Sequence, residues 1–475
     1  MICLSLAQIA AAVGGSIIGD GHAEIQVTGS VETDSRLVTA GSLFFAKPGE
    51  VTDGHNFVAA AQDAGAVAAV VEREVAGATI PQILVQNVVE ALGQLAQFVL
   101  AEVRKGGQLK VVGITGSNGK TTTKNMLRAI LSQVGPTIAP IESYNNEVGA
   151  PISVLKIDRE TRFLVAELGA GGPGSISYLA KITCPDVAVE LKVGMAHAGE
   201  FGGIETTAAI KAELLKELSS DSISVLNADD TYVRQMAIDV PGKSVWFGTS
   251  EGCDYWADNY ELSLAGTSFD LHWPESAVAG ESKVTRVQLQ ILGEHHVMNA
   301  LASAAVAHQL GVAPDLVVSA LEALPLAEKW RMQLTHTADG ISVINDAYNA
   351  SPDSTKAALQ TLAQLGRQTG RRTVAILGEM AELGEFARAE HDAIGRTAVR
   401  LNIGLVIAIG ENAKLIYMGA NLEGSYDGES QYIESLDGAL PTVRGMLRAG
   451  DIVLVKSSKS ANLRHLGDAL LEVNA

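Results

Sequence analysis

Cysteine is scarce in this chain. Cys3, Cys184 and Cys253 are scattered, odd in number and without metal-ligand spacing, which excludes a disulfide scaffold or thiolate metal cluster and suits reduced thiols. Basic side chains are also in short supply, 35 against 54 acidic ones, giving a formal net charge of −19. Such a field repels phosphate, so a nucleic-acid or anionic-membrane partner is not expected and any anionic ligand needs a dedicated pocket. No apolar run approaches the length that spans a bilayer. The first basic side chain other than histidine is Arg36, so the positive n-region of a signal peptide is missing. The expectation is a cytoplasmic protein with no nucleic-acid partner and no membrane insertion.

What is present is apolar and periodic. A chain of 475 residues with 47% hydrophobic and 19% charged residues is globular and too long for one core, so about three domains are expected. Residues 1–85 mix strand-like runs such as "SLFFA" and "AVAAVVE" with glycine-rich turns and read as a small N-terminal α/β module. Residues 86–325 alternate "KVVGITG", "RFLVAELG", "DVAVELKVG" and "SISVLNADD" with helical patterns, predicting a mostly parallel P-loop-type sheet. Within that block, "GCDYWADNYELSLAGTSFDLHWPE" suggests an antiparallel excursion. Residues 326–475 restart with "ISVIND", "TVAILGEM", "LVIAIG" and "DIVLVKSS", predicting a Rossmann-like doubly wound sheet. The fold class is therefore α/β in three domains.

The stretch "GITGSNGKTTTK", Gly113 to Lys124, follows a buried strand and opens a helix whose Met126, Leu127, Ile130, Leu131 and Val134 share one face. That is the context a phosphate loop requires. Ile114 stands where the usual P-loop has its first glycine, which indicates a different loop family. Gly116 and Gly119 allow close backbone approach, with Ser117 and Asn118 between them. Lys120 supplies a cation, Thr121 can offer a hydroxyl to magnesium, and Thr122 continues the helix. An ordinary strand-to-helix turn is the bland alternative.

Other candidates lie nearby in the pattern. Lys211 precedes Leu214, Leu215 and Leu218 by three, four and seven residues and so shares their apolar face. It either snorkels to water or is buried, kept neutral and modified to carry negative charge. Glu167 and His197 follow the apolar runs of two predicted strands, at the sheet edge where α/β proteins bind ligands. Each alone reads as a solvated loop acid or a structural histidine; sharing an edge with Lys120 and Thr121 makes them magnesium-ligand candidates. His295 and His296 are adjacent, diverge on a helix, and read as turn residues.

Taken together, "GITGSNGKTTTK", "YNNEVGAP", "AELGA", "VGMAHAGEFGG", "LNADD", "MNALASAAVA", "INDAYNASPDS" and "LGEMAELG" resemble the Mur ligases of peptidoglycan synthesis, across all three blocks. The resemblance implies an ATP-dependent amide ligase working through an acyl phosphate. "YNNEVGAP", "DAYNASPDS" and "LGEMAELG" point to UDP-N-acetylmuramoyl-tripeptide and D-alanyl-D-alanine as the substrates; a monomer is expected, though these motifs do not carry that expectation. It places Gly119, Lys120 and Thr121 around the β- and γ-phosphates, magnesium on Thr121, Glu167 and His197, and a carbamoylated lysine at Lys211. Asn299 would contact adenine, Arg331 the phosphates and Asp346 the ribose, with Tyr348 and Asn349 following. Asn145 and Asn146 match a substrate-binding segment. Ser35 and Arg36 of "TDSR", with Gly54 and His55 of "DGHNF", resemble the segments that hold the uridine nucleotide.

Some positions depart from the family pattern. Glu190, Leu191 and Lys192 are unusual before the histidine, Lys192 standing where asparagine is common. Ser457 and Lys459 replace the usual glycine and arginine, and lysine keeps the charge but loses the bidentate fork. The rival readings are a sibling ligase, either the one adding the third residue of the peptide or a folylpolyglutamate synthase; a nucleotide-dependent switch or transport ATPase; and, disfavoured by Lys120, Thr121 and Glu167, a non-catalytic nucleotide-binding scaffold.

Overall fold

The computed structural model describes the chain apart from residues 20, 50–51, 141–143, 197, 275–282, 326–327, 426–428 and 473–475. At its centre lies the strand Lys110–Thr115, the run that ends in the glycine loop. Its neighbours Phe163–Glu167 and Val187–Glu190 run parallel to it, so Glu167 stands opposite Ile114, and Glu190 opposite Thr115. All three chain segments therefore release their next residues at one edge, the place where open α/β sheets bind ligands.

Among the described residues, nine strands make up this sheet. Alternate residues of the central strands face two different cores. Val112, Ile114, Val187 and Val189 pack under the helix Lys120–Leu131, which contributes Met126, Leu127, Ile130 and Leu131, the face read from the sequence. Ala166, Ala188 and Leu226 face the other way, against Ile176, Ile210, Leu214 and Leu215 from helices on the far side. Tyr255–Ser263 and Gly266–His272 form the antiparallel excursion, and Val284–Leu289 adds a third antiparallel strand beyond it.

The N-terminal block carries a five-stranded sheet, parallel except for Ser16–Ile18 at its edge. The helix Val88–Arg104 starts at Asn87, whose side-chain oxygen accepts the amides of Val89 and Glu90, a cap worth about 1 kcal/mol. Its Leu92, Leu95 and Val99 join a core that holds Ile9, Leu43 and Phe45 together with Val111, Ile152 and Leu164 of the central block. The two blocks thus share one continuous apolar core.

The C-terminal sheet has five parallel strands, Ser342–Asn345, Ile452–Lys456, Thr373–Leu377, Leu405–Ile409 and Ser430–Ile433, and an antiparallel edge strand, Gln333–His336. Its inner strands are buried on both faces, which is why they read as unbroken apolar runs. The two outer strands are only partly buried and carry mixed sequences, "QLTH" and "SQYI".

Candidate active site

The glycine loop has the conformation that its sequence demands. Gly116 has φ +145 and Gly119 φ +93, and a Cβ on Gly119 would lie 2.4 Å from the Asn299 side-chain oxygen. Gly119 caps the helix Lys120–Leu131 without any side-chain hydrogen bond, so the first turn points unpaired N–H groups outward. Lys120 curls back, its ammonium donating to the Gly116 carbonyl at 2.7 Å. Burial pulls its pKa down, while the carboxylate of Glu167 opposes that. Ser117 is pinned: its hydroxyl exchanges hydrogen bonds with Gly194, and its amide donates to the Lys192 carbonyl. Its role is to shape the loop. Thr122 is buried and lines the cleft.

Thr121 and Glu167 meet as their strand positions required. The Thr121 hydroxyl donates to the Glu167 carboxylate at 3.1 Å, and the Asn145 amide holds the same carboxylate at 2.9 Å. Sequence reasoning missed this orienting contact of Asn145. Asn146 lines the cleft as well, but its side-chain oxygen accepts the amides of Val148 and Gly149. His197 lies outside the described residues. Among the described residues, no group of three or more His, Cys, Asp or Glu forms a metal cage.

The C-terminal block closes over this floor. Arg331 donates to the Thr121 hydroxyl at 3.3 Å and stacks its guanidinium over Tyr348, 4.5 Å from the ring centroid. Trp330 and Met332 on either side of it have φ +59 and +48, a left-handed backbone that costs of order 1–3 kcal/mol each. The strain brackets the residue that reaches across, and the Arg331 Nε is buried without a partner among the described residues, a donor poised for an anion. Asp346 accepts the Met332 amide and pairs with Lys456 at 2.6 Å, and Lys456 also donates to the Asn349 carbonyl. Around these lie further interdomain contacts: Ser351 donates to Asn118, Asp353 accepts the Met195 amide, and Asn125 donates to Glu328. A Cβ on Gly199 would lie 2.2 Å from the Leu383 carbonyl carbon, so this approach requires glycine.

The glycine loop, Glu167, Asn145, Arg331, Asp346, Tyr348 and Lys456 line one cleft of about 400 Å³. An adjoining recess of about 300 Å³ has Leu191, Phe247 and Met298 on its walls, polar side chains such as Asn227 and Asp230 around them, and Asn299 at the junction, a mixed lining that suits a nucleobase.

One expectation is corrected here, and the first of the two readings of Lys211 is set aside. His295 and His296 are not turn residues; they open the helix His295–Gln309 and line the cleft. Asn299 donates to His296 Nδ1, and burial lowers both histidines, His295 to about 4, so both are neutral at pH 7. Lys211 does not snorkel. It is 2% exposed and its pKa is lowered by burial and by the like charge of Lys120. Facing it is Glu190, fully buried, raised by burial, with neither carboxylate oxygen hydrogen-bonded among the described residues. The sequence marked Glu190 only as a departure.

The uridine-segment residues are not brought to this cleft. Ser35, Arg36, Gly54 and His55 lie in the N-terminal block, on short 3-10 turns capped by Asp34 and Asp53. Asp34 grips Arg36 through two nitrogens. His55 is a structural residue with no ring nitrogen left for a ligand: Nδ1 donates to Asp53 and Nε2 accepts the Glu72 amide.

Glycine loop, carboxylate and cross-domain arginine define a three-block α/β protein built to hold a polyphosphate between domains. Comparison with known proteins agrees. Sequence families described as Mur ligase family, catalytic domain, Mur ligase middle domain, and Mur ligase, glutamate ligase domain match residues 28–99, 114–307 and 330–459. The chain is 41% identical to the UDP-N-acetylmuramoyl-tripeptide--D-alanyl-D-alanine ligase of Mycobacterium tuberculosis, covering 99% of this chain and 98% of that one. It superposes on MurF from Acinetobacter baumannii with a TM-score of 0.88 at 32% identity, covering 99% of both chains. MurF ligase from Thermotoga maritima in complex with ADP gives 0.80 at 27% identity, covering 94% and 97%. The chain belongs to the Mur ligase family.

Proposed function

We propose that this chain uses ATP to join D-alanyl-D-alanine to UDP-N-acetylmuramoyl-tripeptide, the reaction named for its full-length relatives. The observation that carries the reading is the contact of Arg331 with Thr121, which puts an arginine of one domain on the phosphate loop of another. A carboxylate is a poor electrophile, so the γ-phosphoryl group passes to the peptide's terminal carboxylate and makes an acyl phosphate. The dipeptide's neutral amine attacks that carbonyl, the new C–N bond forms, and phosphate leaves with the carboxylate oxygen, the proton that the amine gives up going in net to the departing phosphate. Both partners of the first step are anions, so neutralising charge is the chief task. Lys120 and Arg331 supply it, and closure of the C-terminal block keeps water from the intermediate.

Hard oxygen donors suit magnesium. Thr121 and Glu167, held together by their own hydrogen bond and by Asn145, fit it, and we assign them to hold it. Bound there, the ion would neutralise phosphate charge. Burial of Lys211 favours the neutral amine that reacts with CO2, and burial of Glu190 favours its uncharged acid, so a carbamate on Lys211 would meet no fixed like charge. Asn299 and the adjoining recess are assigned to the base, Asp346 to the ribose.

Omission experiments test the reading. Purified protein given ATP, UDP-linked tripeptide and D-alanyl-D-alanine should release one ADP per pentapeptide, and leaving out any one of the three should stop release. ADP formation that ignores both peptides would point instead to a switch or transport ATPase.

A further inference from the structure

Three basic side chains of the C-terminal block line the cleft, and two are committed. Arg331 donates to Thr121, and Lys456 is ion-paired to Asp346. Lys459 differs. It is exposed, lines the same cleft, and its ammonium has no carboxylate partner among the described residues. Its recorded contact is with Tyr348, 5.7 Å from the ring centroid, the same ring that Arg331 covers at 4.5 Å.

Those two ring distances put the cations at most about 10 Å apart. Two residues of extended chain span about 7 Å, and a charged hydrogen bond adds about 3 Å. A dipeptide whose amine sits at the phosphate end beside Arg331 thus brings its far carboxylate to Lys459.

We propose that Lys459 recognises the terminal carboxylate of the incoming dipeptide and selects an acceptor that ends in a free acid. The inference rests on the ligase reading above and adds a residue that sets acceptor specificity. Lysine offers a point charge in place of a fork, so one oxygen of the carboxylate takes the contact.

The test compares D-alanyl-D-alanine with D-alanyl-D-alaninamide, whose end is neutral, in full-length protein. The native enzyme should prefer the free acid by about 10–100-fold in kcat/KM, the effect of one hydrogen bond to a charged group. Lys459→Met, which keeps the apolar stem, should raise KM for D-alanyl-D-alanine by a similar factor. It should leave kcat/KM for the amide and KM for ATP and UDP-tripeptide unchanged, and Lys459→Arg should restore the preference. Equal losses on acid and amide, or a shift in KM for ATP or UDP-tripeptide instead, would overturn the proposal. A native enzyme inert toward both dipeptides would remove the ligase reading itself, and this proposal with it, which separates the two failures.

Discussion

Arg331 donates a hydrogen bond to the Thr121 hydroxyl across 210 positions of sequence, joining the C-terminal block to the phosphate loop at 3.3 Å. Neither domain alone contains both groups. A site assembled this way works only when the blocks are together. Arg331→Ala should therefore lower kcat about 100-fold or more, as loss of a positioned charge at a transferring phosphoryl group does. Arg331→Lys should recover only part of it, because the planar fork is lost. Steady-state kinetics on the two variants decide this, and full activity in Arg331→Ala would remove the cross-domain role.

Lys120 supports no core; its ammonium bonds the loop carbonyl of Gly116. Lys120→Ala should cut kcat/KM by about 100–1000-fold and leave the thermal midpoint essentially unchanged. Calorimetry beside the kinetic assay separates the two effects. A large fall in the midpoint would make the residue structural.

Much of this was legible in the sequence, and the limit is physical. The loop could be read because a buried strand, spaced glycines and an amphipathic helix are all local patterns. Lys211 could be placed on the apolar face because three, four and seven residues separate it from leucines that are buried. Contacts between blocks leave no such trace. Nothing local to Arg331 says that it meets Thr121, nor to Asn145 that it orients Glu167. His295 and His296 were misread for the same reason: divergence along a helix is local, but the cleft wall they form is made by distant segments. The edge strands Gln333–His336 and Ser430–Ile433 escaped because half-buried edges need no apolar run.

Lys211→Ala should be nearly inactive if a carbamate there completes the site, and short carboxylates such as acetate should restore activity by entering the space left. The assay is turnover against acetate concentration. A flat response in an inactive, folded variant would count against the modification.

The neutral histidines make stability depend on pH. His295 is lowered by burial from 6.5 to about 4, so between those values the unfolded chain binds a proton that the folded chain refuses. Its contribution is fully present above pH 6.5 and is lost as pH falls toward 4. From pH 7.5 to 5 the loss is about 2 kcal/mol for this residue alone. Denaturant unfolding across that range should show it, and His295→Gln should flatten the slope. An unchanged slope in that variant would mean the histidine is protonated in the fold.

The central claim is that phosphate passes to the peptide's carboxylate before the amide forms, and isotope transfer tests it most directly. With UDP-tripeptide whose acceptor carboxylate carries ¹⁸O on both oxygens, together with ATP and D-alanyl-D-alanine, one label should appear in the released phosphate and one remain in the new amide. Phosphate released without label, alongside pentapeptide product, would contradict the account.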